Sequence, residues 1–251
     1  MASILHIPHA SKSIPEKYLP YFFIDSETLD LEILKMTDHF TDELFANSSC
    51  NAQILKFPLS RLLVDPERFP DDEKEPMTVV GMGCIYTKTH NGRALKKVDQ
   101  IRTELMSKYY YDHHHKFEKL VLDGLKIEGK VLIIDCHSFP KYPLPYELDQ
   151  KSDRAEFCIG TDTFHTHHEI RDFTKGFLEN EGYSVAINRP FSGSIVPMKF
   201  YQKNKRVQSI MIEIRRDLYM DEIAGKKSSN FEDIKNLMGK LIRELETKFS
   251  L

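Results

Sequence analysis

The sequence predicts a single α/β domain spanning residues 1–251: a mixed, mostly parallel central sheet flanked by helices. Three observations lead there. The run KVLIID at 130–135 is apolar without alternation and of strand length, as a strand buried on both faces is. A second such run, VQSIMIEI, covers 207–214. Around them lie segments with apolar residues at helical spacing, so strands alternate with helices. No internal repeat or low-complexity linker divides the 251 residues, a length that suits one such domain.

The elements are read in chain order. Residues 2–7 form a short strand that runs into a loop at Pro8. Residues 26–45 place Leu29, Ile33, Met36, Phe40 and Leu44 at helical spacing, which reads as one amphipathic helix or two. Residues 51–64 read as β, and 66–77, with three prolines, as loop. Residues 79–86 hold two glycines and read as a short strand or a binding loop. The longest helical pattern covers 96–125, and Gly129 resets the chain. Strands follow at 130–135, 156–160, 183–187 and 207–214, with helices at 165–181, stopped by Gly182, and at 231–249.

Composition narrows the function. The 35 basic and 38 acidic side chains give a formal net charge of −3, without the basic excess a nucleic-acid partner needs. No apolar stretch approaches the roughly 20 residues that cross a bilayer, so no membrane partner is expected. The N-terminus lacks a secretory pattern, and the protein reads as cytoplasmic. The cysteines Cys50, Cys84, Cys136 and Cys158 form no C-x-x-C pair and read as reduced, mostly buried thiols. Histidine is the unusual count, with eleven present, many in clusters.

Three strand ends carry ionisable groups: His6-Ile-Pro-His9, Asp135-Cys-His137-Ser138, and Glu213-Ile-Arg215-Arg216. A buried strand end is a costly place for such groups unless they are paired or metal-bound. In an open α/β sheet it is also where ligands bind. Two imidazoles and a carboxylate are a common catalytic zinc set, with water in the fourth position. His9 and His137 are the imidazoles, and Asp135 is expected as the outer hydrogen-bond partner of His137. For the third ligand, Asp38 is favoured and His6 is the contender, with His6 preferred as an outer partner. A separate carboxylate can act as general base.

The segments His6 to Ser11, Thr37 to Phe45, Ser60 to Phe69, Asp135 to Pro140, Ile159 to Asp162, Asn188 to Gly193 and Gln208 to Met220 together resemble the N-formylglutamate amidohydrolase family, in order and along most of the chain. That family is similar to zinc carboxypeptidases and related deacylases. The resemblance implies a carboxypeptidase-like fold, one zinc ion, and hydrolysis of N-formyl-L-glutamate to formate and glutamate. Another N-acyl amino acid or a small peptide is the alternative substrate. A non-catalytic binding protein on the same scaffold is the remaining alternative.

The resemblance also implies roles. His9, His137-Ser138 and Glu213-Ile-Arg215 match the related enzymes' ligand, His-Ser and Glu-x-Arg positions, which implies that Glu213 is the general base. Many of the related enzymes place a Glu three residues after the first His, and here that position is Lys12. A dicarboxylate substrate calls for arginines, and Arg61, Arg68 and Arg215 are the candidates. In the run Asp112-His113-His114-His115, His114 falls on a family histidine and is expected to line the pocket, while a solvated helix face is the alternative for His113 and His115.

Overall fold

The computed structural model describes residues 2–46 and 51–249. Six strands form one sheet: β1 (Ala2–Ile7), β2 (Gln53–Lys56), β3 (Val131–Phe139), β4 (Phe157–Gly160), β5 (Val185–Ile187) and β6 (Val207–Arg215). Their order is β2-β1-β3-β6-β4-β5, and every pair is parallel except the antiparallel β6–β4. A small hairpin, β7 (Met220–Asp221) with β8 (Lys226–Lys227), stands apart. The main helices are α1 (Ser26–Met36), α2 (Thr41–Phe45), α3 (Arg102–Leu105), α4 (Tyr111–Glu128), α5 (His168–Asn180) and α6 (Phe231–Phe249). None of the described helices is long and apolar enough to cross a membrane.

Burial on both faces explains the unbroken apolar runs. Every residue of β3 is buried. Leu132, Ile134 and Cys136 join Leu5, Ile7, Ile210, Ile212 and Ile214 under α5 and α6, which contribute Ile170, Leu178, Leu241 and Leu245. The opposite face begins apolar, where Ile4, Val131, Ile133 and Val207 meet Phe117 and Val121 of α4. Toward the carboxyl ends the same face turns ionisable. Register pairs His6 with Asp135 and His137 with Glu213. With side chains alternating along each strand, these four share a face. Cys84, Cys136 and Cys158 are free and buried, while Cys50 lies outside the described residues.

Several elements differ from the sequence reading. Only Gln53–Lys56 of 51–64 is strand, because Leu62, Leu63 and Val64 are apolar to fill clusters beneath a turn rather than a sheet. Residues 79–86 hold no strand; a 3-10 helix, Pro76–Val80, leads into them. The helix begins at Arg102, not 96. The buried ammonium of Lys96 instead donates to the carbonyls of Leu62 and Tyr86, tying two loops together. A π-turn, Met106–Tyr110, interrupts the helix before α4, a deviation often found beside functional sites. Asp38 is not on a helix. It sits in the break between α1 and α2, where Phe40 takes a left-handed φ of 63° and the Asp38 N–H donates to the His9 carbonyl at 3.0 Å.

One glycine has a steric reason. A Cβ on Gly160, at the end of β4, would lie 2.3 Å from the carbonyl oxygen of Gly193. Gly160→Ala should therefore push back the segment around Gly193 and cost about 1–3 kcal/mol. A melting curve unchanged from the parent would show that this segment yields freely.

Candidate active site

The carboxyl ends of β1, β3 and β6 open onto a cavity of ≈ 710 Å³. His9, Asp38, Arg61, Glu67, Arg68, His114, Asp135, His137, Ser138, Glu213 and Arg216 line it. Of the residues expected from the sequence, His6 and Arg215 do not. His6 is fully buried behind Asp135, its Nδ1 2.9 Å from Asp135 Oδ1 and its Nε2 2.9 Å from His113 Nε2. It stacks on Phe117 at 4.8 Å between ring centroids.

His9 and His137 stand side by side, with ring centroids 5.1 Å apart. Carboxylates bracket both edges of the pair. On one edge, Asp38 Oδ2 lies 3.1 Å from His137 Nδ1 and 3.6 Å from His9 Nδ1. On the other, Asp65 Oδ1 lies 2.9 Å from His9 Nε2. Asp135 Oδ1 and Glu67 Oε2 each lie 3.1 Å from His137 Nε2. His9, Glu67 and His137 offer donor atoms within 4.8 Å of one another, as do His6, Glu67 and Asp135. The residues therefore fit a divalent cation, since imidazole and carboxylate donors suit zinc. The His9 Nδ1 atom is buried without a hydrogen-bond partner among the described residues, as a donor kept for a ligand is.

Electrostatics point the same way. Burial opposes charge on both imidazoles, yet His9 and His137 are raised above the usual histidine range. Asp65 and Asp38 raise His9 against burial and Arg61, and Glu67, Asp135 and Asp38 raise His137 against burial. Asp38 and Asp65 are held well below the carboxylate range, where their cationic neighbours outweigh burial. A metal bound to these imidazoles would have to compete with protons. Glu213 behaves in the opposite way. Burial, helped by Asp38 and Glu67 and opposed by His137 and Arg216, raises it to about 8. Its Oε2 has no hydrogen-bond partner among the described residues.

The arginines divide by their engagement. Arg61 is occupied: Nη2 donates to Asp65 Oδ2 at 3.0 Å and Nε to the Tyr86 hydroxyl at 3.0 Å. Arg68 is not. Its nearest carboxylates, Asp65 and Glu75, are 3.8 Å away, and its buried Nε has no hydrogen-bond partner among the described residues. Arg215 is turned away, donating to Asp217 at 2.7 Å and to the Arg154 carbonyl at 2.7 Å. Its neighbour Arg216 enters the site instead, because the strand ends at Arg215 and a 3-10 turn begins. Arg216 Nη2 donates to Asp38 Oδ1 at 3.1 Å and Nε to Ser138 Oγ at 3.3 Å.

His114 lines the cavity with Nε2 2.8 Å from the Pro66 carbonyl, and burial pulls it down to about 4. His113 is buried against His6, while His115 is exposed. Sequence reasoning passed over Asp65, Glu67 and Arg216. The available signal was Asp65-Pro-Glu67, two acids straddling a proline directly after a buried apolar run.

The N-formylglutamate amidohydrolase family model matches residues 1–220. No curated protein matches the chain. Among solved structures, the crystal structure of N-formylglutamate amidohydrolase from Ralstonia eutropha JMP134 superposes with a TM-score of 0.83 at 22% identity, covering 98% of this chain and 94% of that one. A gene product of Agrobacterium tumefaciens superposes with a TM-score of 0.68 at 20% identity, covering 97% and 91%. At such identity these likenesses speak for the fold, and the family match carries the assignment. The chain belongs to the N-formylglutamate amidohydrolase family.

Proposed function

We propose that the protein is a cytoplasmic zinc-dependent amidohydrolase that cleaves the amide of an N-acyl amino acid, with N-formyl-L-glutamate as the reference substrate. The observation that carries this reading is the meeting of an unpartnered His9 Nδ1, His137, Asp38 and an unpartnered Glu213 oxygen on one cavity floor. His9 and His137 would hold the metal through Nδ1, with Asp38 as the carboxylate. Their Nε2 edges are already engaged by Asp65 and Asp135, the outer hydrogen bonds that orient ligand imidazoles. Glu67 is the rival carboxylate on the Nε2 edge.

A zinc ion bound there supplies Lewis acidity, polarising the scissile carbonyl and lowering the pKa of water. Glu213 takes the proton of the attacking water at its free Oε2 and delivers it to the departing nitrogen. Burial raises it to about 8 in the metal-free site, and a cation held beside it would favour the carboxylate that the first transfer needs. Arg68 binds a substrate carboxylate, since its guanidinium has donors to spare. Arg216 and Ser138 keep Asp38 in place.

The direct test is release of glutamate from N-formyl-L-glutamate by purified protein, with zinc and with chelator. Activity that chelator removes and zinc restores supports the reading; a zinc-loaded protein inert on every N-acyl amino acid rejects it. Arg68→Ala should raise KM about 10–100-fold, the worth of a charge-assisted hydrogen bond, with a smaller change in kcat. An unchanged KM would remove Arg68 from substrate binding.

A further inference from the structure

The cavity exceeds what an N-formylated amino acid fills. Its ≈ 710 Å³ falls among pockets that enclose drug-sized ligands. Its walls also carry apolar side chains that water should not be left to cover. Phe69 is 47% exposed, Tyr111 44%, Leu148 93% and Met198 60%, and all four line this cavity. They come from four separate segments of the chain, so sequence neighbourhood does not explain their convergence. Single exposed apolar residues are ordinary, but several that line one cavity suit an apolar ligand.

The floor of the cavity accounts for the polar part of a substrate. The amide belongs beside Glu213 and the two imidazoles, and the amino-acid carboxylate belongs at Arg68. The glutamyl side chain is charged and suits no apolar wall, which leaves the acyl substituent for the apolar side chains. A formyl group carries a hydrogen there and leaves the apolar side chains uncovered.

We propose that the site takes N-acyl amino acids whose acyl group is a bulky apolar chain or ring, lying against Phe69, Tyr111, Leu148 and Met198. This rests on the amide-hydrolysis reading and adds the acyl class to it. The chemistry is unchanged. The C–N bond breaks, the hydroxyl of water joins the acyl carbon and its hydrogen joins the departing nitrogen, giving a carboxylic acid and a free amino acid.

The test is a series of N-formyl, N-acetyl, N-butanoyl, N-hexanoyl and N-benzoyl L-glutamates, assayed with zinc-loaded protein and with the double variant Leu148→Glu, Met198→Glu. Both positions are exposed, so the variant should fold, and a melting curve checks it. Burial is worth about fourfold per methylene. The kcat/KM for N-hexanoyl should exceed that for N-formyl by about 30-fold or more, and the double variant should cut that ratio at least about tenfold. An N-formyl substrate as good as the longer ones, or a ratio untouched in the double variant, overturns the acyl class while leaving amide hydrolysis standing. Hydrolysis of none of the five overturns both.

Discussion

Glu213→Gln is expected to lower turnover between about 100-fold and 10,000-fold, the usual weight of a general acid–base group, while zinc content stays at the parent level. The reasons are positional. Glu213 pairs in register with His137 across β3 and β6, so it faces the same cavity floor. Its Oε2 makes no hydrogen bond among the described residues, so the amide should leave the neighbouring groups in place. The same variant has a stability signature in the metal-free protein. Burial raises Glu213 from 4.5 to about 8, so the folded state holds that proton more tightly than the unfolded chain does. Stability from this group is fully present below 4.5 and is lost as pH rises toward 8. Metal-free Glu213→Gln should therefore melt above the parent at pH 8 and higher, with the gap closing in acid. Undiminished turnover would remove Glu213 from the mechanism, and equal melting at high pH would show that its carboxyl is not strained by burial.

Asp38→Asn is expected to have the second large effect, on metal and stability together. Asp38 Oδ2 faces the Nδ1 atoms of His9 and His137, and Oδ1 accepts from Arg216. Removing its charge would take away the proposed ligand and leave the buried Arg216 guanidinium without its carboxylate. Breaking a buried pair in this way costs about 3–5 kcal/mol. On the Asp38 reading Glu67→Gln should keep zinc; on the rival reading, in which Glu67 completes the set with His9 and His137, it should lose it. Zinc content after dialysis and the melting temperature read both effects. The reverse pattern, with zinc lost from Glu67→Gln and kept by Asp38→Asn, would assign the metal to the Nε2 edge.

Much of the fold was legible in the chain because double-sided burial leaves an unbroken apolar run. β3, β6 and α6 show it, and so do the glycine resets at Gly129 and Gly182, both with positive φ. The strand ends marked His9, His137 and Glu213 for the same reason, since ionisable residues closing an apolar strand need a purpose. Residues 57–64 misled, because a buried loop and a buried strand demand the same side chains and periodicity cannot separate them.

The sequence by itself determined the sheet, its flanking helices and the three polar strand ends, all set by local pattern and by which side chains avoid water. Only the tertiary structure decided which imidazole edge meets which carboxylate, that Asp38 reaches the site from a break between helices, and that Asp65 and Glu67 join it from a loop. It alone decided that Arg216 enters and Arg215 turns away. These are contacts between residues far apart in the chain, such as Asp38 with His137 and His9 with Asp65. Their geometry follows from how strands and loops pack in space, which no local spacing encodes.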